Sequence, residues 1–416
     1  MKILYLCLIS YIFLVGNLSA SYYFSIFDNP KYSKDFESFD YIEPNAPQGG
    51  ELRIGAVGSF NNLNPFILQG NPGDGIGFSF DSLMSKSKDE LASAYPLIAK
   101  SINISPTNSE VSFNLNQNVR FHDGSYLTAK DIKFTFETLS SKGHPRYKVG
   151  LRDILSIKII DQYNVTFSLK DIKNKDLILT IIQMPILSKK YFEENDFTKT
   201  TLKPIMGSGP YTISGSLPGK SITYTKNLSY WGKDLPVNTG LYNFSKITYI
   251  YYRDSNIAIR GLKANEYDFR YENIAKNWAT QYKDPKIKLH LKQEMVQHSI
   301  PSSMQCFSMN NRLAKFSNLN VRKAINLAFD FEWTNKNLFF GSYNRTRSFF
   351  DNSVFKALPQ ITNSEMQILS EFNYSQTEIN NLSDIIIPTN NGNGYNRESL
   401  IKAKLLLEEA GYHINN

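Results

Sequence analysis

Alternation of apolar and polar residues marks several short segments of this chain and predicts β-strands. Residues 51–57 (ELRIGAV) place Leu52, Ile54 and Ala56 on one side and polar or small residues on the other, which is the period of a strand with one buried face. The segments VSFNLNQ, NVTFSLK and SITYTKN alternate in the same way, and ITYIYYR is a longer β-rich run. We expect the strand that contains VSFNLNQ to continue to Phe121.

Apolar residues at helical spacing predict α-helices among and beyond these strands. Two amphipathic segments are NVRKAINLAFDFEW, residues 320–333, and RESLIKAKLLLEEAG, residues 397–411. Their apolar faces comprise Val321, Ala324, Ile325 and Ala328 in the first and Leu400, Ala403, Leu406, Leu407 and Ala410 in the second. Residues 62–77 hold two prolines and four glycines and are therefore expected to form a loop. The mixture of strands and helices predicts α/β lobes.

Length and charge narrow the class of protein. A chain of 416 residues exceeds one ordinary hydrophobic core, so two or three lobes are expected. Hydrophobic residues at 41% and charged residues at 20% are typical of a globular protein. The formal net charge is +8, but the Lys and Arg residues are scattered. Because nucleic-acid binding requires a basic stripe or a recognisable module, we expect no nucleic-acid partner.

The first twenty residues have the features of a secretory signal peptide. Lys2 is followed by an apolar run from Ile3 to Val15 and then by small and polar residues up to Ala20. This run is too short to span a bilayer. Cleavage after Ala20 leaves Cys306 as the only cysteine, which excludes an intramolecular disulfide. The mature chain is therefore predicted to be exported as a soluble protein.

One stretch, VRFHDGSYLTAKDIKFTFETL, raises the question of an active site because His122 and Asp123 are adjacent. Thr128 and Asp131, however, fit a capping box, so a helix is expected to begin there and to end at Gly143. The His-Asp-Gly sequence is then the turn that joins a strand to this helix. A structural role for the turn is favoured over a catalytic one.

Other catalytic signatures do not occur in the sequence. The glycines between residues 73 and 77 lack the spacing of a dinucleotide loop, and there is no H-E-x-x-H, cysteine pair or G-x-S-x-G motif. The five histidines are far apart along the chain. We therefore expect no catalytic residue, no metal and no cofactor. A secreted hydrolase is the enzymatic alternative.

Six segments in order resemble landmarks of family 5, the peptide-type extracytoplasmic solute-binding proteins of ABC importers. They are VRFHDGSYLTAKDIKFTFE, GSGPYTI, NLSYWG, IRGLKANEYDF, NVRKAINLAFDFEW and AKLLLEEAGY. A narrower likeness to the YejA-type branch is carried by SIFDNPKYSKDFESFDYIEPNAPQGGELRIG, FNNLNPFILQG, FDSLMSKSKDE and FFGSYNRTRSFF. The resemblance implies a periplasmic-binding-protein-like α/β fold of several lobes with mixed sheets.

The resemblance also implies a function and a division into lobes. Residues 21–80 and 200–292 would form lobe I, residues 81–199 lobe II and residues 293–416 lobe III. The protein would be a monomer that captures an oligopeptide between lobes I and III. It would deliver this ligand to an inner-membrane ABC permease with cytoplasmic ATPases. A buried peptide needs partners for its backbone groups, because each unpaired group costs about 1–3 kcal/mol.

Position-by-position likeness to the family assigns ligand contacts to three short segments. The first follows the Asn-Pro of the loop, the second follows Glu-Tyr-Asp, and the third precedes Ser-Met-Asn-Asn. The assigned residues are Gln69, Gly70, Asn71, Tyr271, Glu272, Gln305 and Phe307. For each of them, a loop or core residue without ligand contact is the alternative.

The end of the chain differs from the family pattern. Relatives continue well beyond the AGY sequence, whereas this chain stops at Asn416. Lobes I and III are therefore expected to be incomplete, with unpaired strand edges and exposed apolar surface. The alternative function is accordingly a truncated relic, or a structural or chaperone-like binding module without transport activity.

Overall fold

The computed structural model describes residues 20–27, 29–105, 109–170, 175–298, 300–356, 361–372, 374–375, 377–378 and 387–413. The predicted signal peptide, apart from Ala20, lies outside these residues. The chain divides into two compact units, of which the first ends at Arg270 and the second begins at Tyr271. The lobe limits inferred from the family resemblance stay predictions.

Strands of the first unit form three sheets within the described residues. The strands are β1 (Phe24–Ser25), β2 (Glu51–Val57), β3 (Met84–Lys86), β4 (Ser93–Pro96), β5 (Ala99–Ile104), β6 (Glu110–Leu115), β7 (Ile154–Ile159), β8 (Asn164–Leu169), β9 (Tyr211–Leu217), β10 (Ser221–Lys226) and β11 (Lys246–Tyr252). The strand orders are β1-β4-β3, β2-β11-β10-β9 and β5-β6-β8-β7. The strands predicted from alternation therefore exist as β2, β6, β8, β10 and β11.

Helices accompany the sheets in the first unit and dominate the second. In the first unit they are α1 (Ala129–Lys142), α2 (Pro145–Gly150), α3 (Lys175–Ile182), α4 (Lys189–Glu194) and α5 (Ser255–Lys263), with short 3-10 turns at Ile76–Ser79 and Pro236–Asn238. In the second they are α6 (Ala275–Thr280), α7 (Pro285–Lys288), α8 (Ala314–Ser317), α9 (Leu319–Ala328), α10 (Phe331–Leu338), α11 (Asn363–Glu371) and α12 (Arg397–Glu409). None of these helices is long and apolar enough to cross a membrane, as judged over the residues described.

The β5-β6-β8-β7 sheet and helix α1 share one hydrophobic core. Alternate residues of β6 and β8, such as Phe113 and Phe167, are buried, as are Ile132, Phe136 and Leu139 on α1. The rings of Phe136 and Phe167 meet edge to face with centroids 4.9 Å apart. Such a pair contributes about 0.5–1.5 kcal/mol beyond the burial of its area. The apolar positions that predicted these elements are thus the positions that are buried in the structure.

Strand β6 ends at Leu115, so the expectation that it continues to Phe121 is wrong. The side chain of Asn116 accepts a hydrogen bond from the backbone N–H of Asn118 at 3.1 Å. The backbone carbonyl of Asn116 accepts from the N–H of Val119 at 3.3 Å. These local bonds replace the ladder bonds of a strand and turn the chain, which is what asparagine side chains favour.

The segment 320–333 of the second unit forms two helices instead of the single helix that its periodicity predicts. Helix α9 ends at Ala328, and the side chain of Asp330 accepts a hydrogen bond from the N–H of Trp333 at 2.8 Å. Asp330 therefore caps the start of α10. Val321 and Ala324 are buried where α9 packs against α12. The carboxyl end of the predicted apolar face is more open, because Ile325 is 41% exposed.

The N-terminal segment of the first unit is fixed by an aromatic cluster. Tyr32, Phe36 and Phe39 pack around the buried Tyr95 of β4, with ring centroids between 5.3 and 5.8 Å from that of Tyr95. The hydroxyl of Tyr32 donates to Asp89 at 2.6 Å. This cluster explains part of the high aromatic content and joins the residues before β2 to the β3–β4 hairpin.

Candidate ligand-binding site

The His-Asp-Gly turn is a structural element of the first unit. The backbone N–H of His122 donates to the carbonyl of Gly207 at 2.8 Å, and its Nε2 lies 2.9 Å from the carbonyl of Gly209. Because a carbonyl only accepts, Nε2 carries the proton in this bond. The carboxylate of Asp123 accepts from the N–H of Ser125 at 2.9 Å, which is a turn bond. Burial lowers the pKa of His122, and the predicted structural role of the turn agrees with these contacts.

Asp131 holds the start of helix α1 as the capping box predicts. Its carboxylate accepts from the backbone N–H of Thr128 at 2.9 Å. The other oxygen accepts from the N–H of Lys189 at 2.9 Å, at the start of α4. One buried carboxylate thus satisfies backbone donors at the ends of two helices. Helix α1 ends before Gly143, as predicted.

The GSG sequence at residues 207–209 lies directly against the backbone that follows the 3-10 turn Ile76–Ser79. The N–H of Gly209 donates to the carbonyl of Ser79 at 3.0 Å. A Cβ atom added at Gly207 would lie 1.7 Å from the same carbonyl oxygen. This close approach requires glycine at position 207 and gives the landmark a packing explanation.

A buried carboxylate joins the segment after this 3-10 turn to the NLSYWG landmark. Asp81 is 4% exposed and accepts from the hydroxyl of Tyr230 and from Nε1 of Trp231, each at 2.9 Å. Burial raises the pKa of Asp81 to about 7, although both hydrogen bonds favour its charged form. Three family landmarks therefore converge on one structural junction of the first unit.

The loop at residues 62–72 is organised by the side chain of Asn62, which is fully buried. Its Nδ2 donates to the carbonyls of Asn64 and Gln69, each at 2.9 Å. Its Oδ1 accepts from the N–H groups of Asn64 at 2.9 Å and Thr201 at 3.0 Å. One amide with four hydrogen bonds thus fixes the curvature of the loop and connects it to residue 201.

Gln69, Gly70 and Asn71 form the exposed tip of this loop. The carbonyl of Gln69 is used by Asn62, and both backbone groups of Asn71 are bonded to Asn61. In contrast, neither the N–H nor the C=O of Gly70 is hydrogen-bonded to any residue that the structure describes. Gly70 adopts φ of +79°, and an added Cβ would lie 2.9 Å from Cβ of Asn62. The N–H and C=O of Gly70 belong to the two successive peptide groups on either side of its Cα, so the tip presents one donor and one acceptor that are not bonded within the described part of the chain.

Residues 266–269 extend the β2-β11-β10-β9 sheet beyond β2. Phe269 forms a parallel bridge with Ile54, and the N–H of Asp268 donates to the carbonyl of Arg53 at 2.9 Å. The Asp268 carboxylate accepts from the N–H of Arg53 at 2.8 Å and from both Nε and an Nη of its guanidinium, at 3.1 and 2.6 Å. The guanidinium lowers the pKa of Asp268. The chain that leads to Tyr271 is anchored here.

We expect Asp268→Ala to lower the thermal unfolding midpoint by about 2–4 °C, because it removes a bidentate ion pair and a backbone bond worth roughly 1 kcal/mol. Glu193→Ala is the matched control, since Glu193 makes a single exposed ion pair with Lys189 at 3.5 Å. Such a pair contributes little. Differential scanning calorimetry of both variants checks this, and equal midpoints would contradict the anchoring role.

The remaining assigned residues belong to the second unit. Tyr271 is 79% exposed, and Glu272 accepts from the N–H of Ile274 at 3.0 Å and the hydroxyl of Tyr282 at 2.8 Å. Gln305 is exposed, and Phe307 is 91% exposed. An open cavity of about 570 Å³ adjoins them in sequence and is lined by Ser308, Met309, Asn310, Asn311 and Arg312. Ligand contact by these residues stays a prediction.

Sequence reasoning passed over the residues that support the loop and the junction. Asn61 and Asn62 precede the assigned tip and bond to its backbone, and Asn64 bonds to Asn62 and to the carbonyl of Phe197. Asp81 lies eleven residues beyond Gly70. The N-N-x-N pattern is a usable signal, because asparagine side chains bond readily to nearby backbone groups. Asp81 carries no comparable local signal, since its partners are distant in sequence.

Comparison with known proteins identifies relatives along most of the chain. The family model of bacterial extracellular solute-binding proteins, family 5 middle, matches residues 93–416. The uncharacterized protein YejA of Escherichia coli is 36% identical over 95% of this chain, and the match covers 65% of that relative. The probable peptide-binding protein YejA of Agrobacterium fabrum is 32% identical over 92% of this chain, covering 64% of its length. The chain thus spans about two thirds of the length of these relatives.

Solved structures have the same fold at lower identity. NikA from Brucella suis in complex with Fe(III)-EDTA superposes with a TM-score of 0.65 at 19% identity, covering 88% of this chain and 65% of that one. The oligopeptide-binding protein AppA from Bacillus subtilis, in complex with a nonapeptide, gives a TM-score of 0.58 at 19% identity, covering 89% and 74%. These similarities and the matched family model agree on one fold. The chain belongs to family 5 of the bacterial extracellular solute-binding proteins.

Proposed function

We propose that this protein captures oligopeptides in the periplasm and delivers them to an inner-membrane ABC permease with cytoplasmic ATPases. It acts as a monomer, after removal of residues 1–20, and binds its ligand without turnover. The residues assigned to peptide contact are Gln69, Gly70, Asn71, Tyr271, Glu272, Gln305 and Phe307.

The observation that carries this proposal is the state of Gly70. Its N–H and C=O have no partner among the described residues, while the groups on either side are bonded within the loop. A free donor and a free acceptor on one fixed residue suit an extended peptide, which pairs its own backbone as an added strand does. Backbone pairing of this kind binds many sequences because it ignores the ligand's side chains.

The choice of peptides over other ligands rests on the relatives of higher identity. At 32% identity, the Agrobacterium fabrum protein is named as a probable peptide-binding protein. NikA, which was solved with a metal chelate, is only 19% identical. Among the described residues, no group of His, Cys, Asp and Glu side chains has the arrangement of a metal site.

We expect a desalted tryptic digest of casein to raise the thermal unfolding midpoint of residues 21–416. At a hundred times the dissociation constant, a ligand that binds only the folded chain adds about 2.7 kcal/mol of stability. For a chain of this size that corresponds to roughly 3–5 °C. Differential scanning fluorimetry measures the shift. The control is an exhaustive enzymatic hydrolysate of the same casein to free amino acids, which supplies the same amino acids without peptide bonds.

The alternatives give different outcomes in the same experiment. Equal shifts with the digest and the hydrolysate would contradict peptide recognition. A cooperative transition that neither preparation moves would favour a structural or chaperone-like module. Fe(III)-EDTA, the chelate with which NikA was solved, serves as a third ligand, and a shift with this complex alone would favour chelate binding over peptide binding.

A further inference from the structure

The exposed side chain of Asn61 lies directly beneath the tip of the 62–72 loop. Its Oδ1 accepts a hydrogen bond from the backbone N–H of Asn71 at 2.7 Å. A Cβ atom on Gly70 would lie 3.0 Å from the same oxygen. The backbone N–H of Asn61 also donates to the carbonyl of Asn71 at 3.0 Å. Asn61 therefore hydrogen-bonds to both backbone groups of Asn71, the residue that follows Gly70.

Asn61 differs from its neighbour Asn62 in what it supports. Asn62 is fully buried and connects the loop to Thr201, so its loss would disturb the fold of the first unit. The Asn61 side chain is exposed, and among the residues that the structure describes its Oδ1 accepts only from the N–H of Asn71. A substitution at Asn61 should therefore change the rigidity of the loop tip without changing the stability of the first unit, whereas a substitution at Asn62 should change both.

We infer that Asn61 is a positioning residue for the peptide ligand, an inference that rests on the proposed function. It holds the N–H of Asn71 inside the loop and thereby fixes the peptide groups of Gly70 in the orientation in which a ligand backbone meets them. Without this bond, the tip has more conformations in the free protein. Binding must then order it, which lowers affinity without removing any direct ligand contact.

Three variants test the inference. Asn61→Leu has a similar shape but no acceptor for the N–H of Asn71. Asn61→Asp keeps the oxygen acceptor and should rescue the loss. Asn116→Leu is the control, because the Oδ1 of Asn116 likewise accepts a backbone N–H, that of Asn118, in the turn after β6.

The measurement is the concentration of casein tryptic digest that gives half of the maximal midpoint shift, together with the midpoint of each free protein. We expect Asn61→Leu to need roughly five- to tenfold more digest, which is the effect of one lost hydrogen bond. For Asn61→Asp and Asn116→Leu, this digest concentration should stay within about twofold of the wild-type value, which is less than the loss of one hydrogen bond typically causes. Hydrogen exchange at the Asn71 amide should be faster in Asn61→Leu alone.

Each other outcome overturns the inference in a different way. If Asn61→Leu matches the wild type, peptide binding stands and the positioning role falls. If Asn61→Leu is weakened and Asn61→Asp does not rescue it, the side chain acts by shape and the acceptor is irrelevant. If the digest fails to shift the wild type, the proposed function falls and this inference falls with it.

Discussion

Gly207→Ala is expected to destabilise the first unit by roughly 3 kcal/mol or more, which is the range of severe overpacking against a backbone. The added Cβ would lie 1.7 Å from the carbonyl oxygen of Ser79 and 2.8 Å from its carbon. Both atoms belong to the main chain, so no side-chain rotation relieves the clash. The 3-10 turn and the GSG sequence must separate, and separation breaks the bond from Gly209 to Ser79.

Gly215→Ala is the matched control for this prediction. Gly215 lies exposed in β9, and the nearest atom to an added Cβ is Cβ of Thr223 at 3.9 Å. Alanine reduces the freedom of the unfolded chain there without a clash, so we expect a change within about 1 kcal/mol. Thermal unfolding monitored by circular dichroism distinguishes the two variants. A Gly207→Ala protein that melts with the wild type would show that the close approach does not exist in solution.

The strands and helix α1 of the first unit show which parts of the structure local sequence information can predict. Alternation predicted the strands because one face of each sheet is buried, as Phe113 of β6 and Phe167 of β8 show. The start of α1 followed from Thr128 and Asp131, which interact across a single helical turn. In both cases the cause of the structure lies within a few residues of its effect, so the sequence pattern is sufficient.

Contacts between distant residues were beyond this reasoning. Asn62 bonds to Thr201, which is 139 residues away, and Asp81 bonds to Tyr230, which is 149 residues away. The periodicity of the sequence does not predict such a pair, because its partners are far apart in the sequence and close together only in the folded structure. The position of the loop tip at Gly70 was available from family likeness. The reason that its backbone is free became visible only in three dimensions.

Two predicted element boundaries, the end of β6 and the end of α9, were wrong because side chains there hydrogen-bond to the nearby backbone. Apolar residues recur at Val119 and Phe121 after the polar residues 116–118, yet Asn116 turns the chain through its own hydrogen bonds. Helical periodicity likewise continues through Asp330, yet this side chain caps a new helix. Short polar side chains that bond to the backbone can override a periodicity that holds on both sides of them.

Asp81 is expected to make the stability of the first unit fall as the pH rises from 5 to 8. Burial raises its pKa from the ordinary value of 3.8 to about 7. Below pH 3.8 both the folded and unfolded carboxyl groups are protonated. Between 3.8 and 7 only the folded form holds the proton, so each rise in pH favours unfolding. The loss between pH 5 and 8 is about 2–3 kcal/mol for a shift of this size.

The partners of Asp81 explain why its charge is poorly compensated. The carboxylate faces the hydroxyl of Tyr230 and the indole N–H of Trp231, both neutral, and the phenol of Tyr242 lies close enough to interact electrostatically. No lysine, arginine or histidine is among its hydrogen-bond partners in the described part of the chain. Neutral donors stabilise a buried charge less than a paired cation does.

His122 acts in the opposite direction, and a difference experiment removes it. Its pKa is lowered by burial, so the stability that its neutral form contributes is present above pH 6.5 and is lost as the pH falls through the lowered value. The wild type therefore shows the sum of these opposing slopes and of the slope from the buried Asp131, whose pKa burial also raises. Asp81→Asn retains His122 and abolishes only the carboxyl titration. The change in stability between pH 5 and 8 should accordingly be less negative in Asp81→Asn by about 2–3 kcal/mol.

The measurement is urea unfolding at pH 5 and at pH 8, followed by the fluorescence of Trp231 in variants in which Trp278 and Trp333 are replaced by phenylalanine. Asp196→Asn is the control, because Asp196 is exposed and its pKa is lowered, so it stays ionised throughout this range. Asp81→Asn also places an amide N–H near Tyr230, so its absolute stability should drop at both pH values. The titration of Asp81 is therefore judged from the change in the free energy of unfolding between pH 5 and pH 8, and not from its absolute value. Equal slopes in the wild type and Asp81→Asn would show that the buried carboxyl does not change its charge between pH 5 and 8.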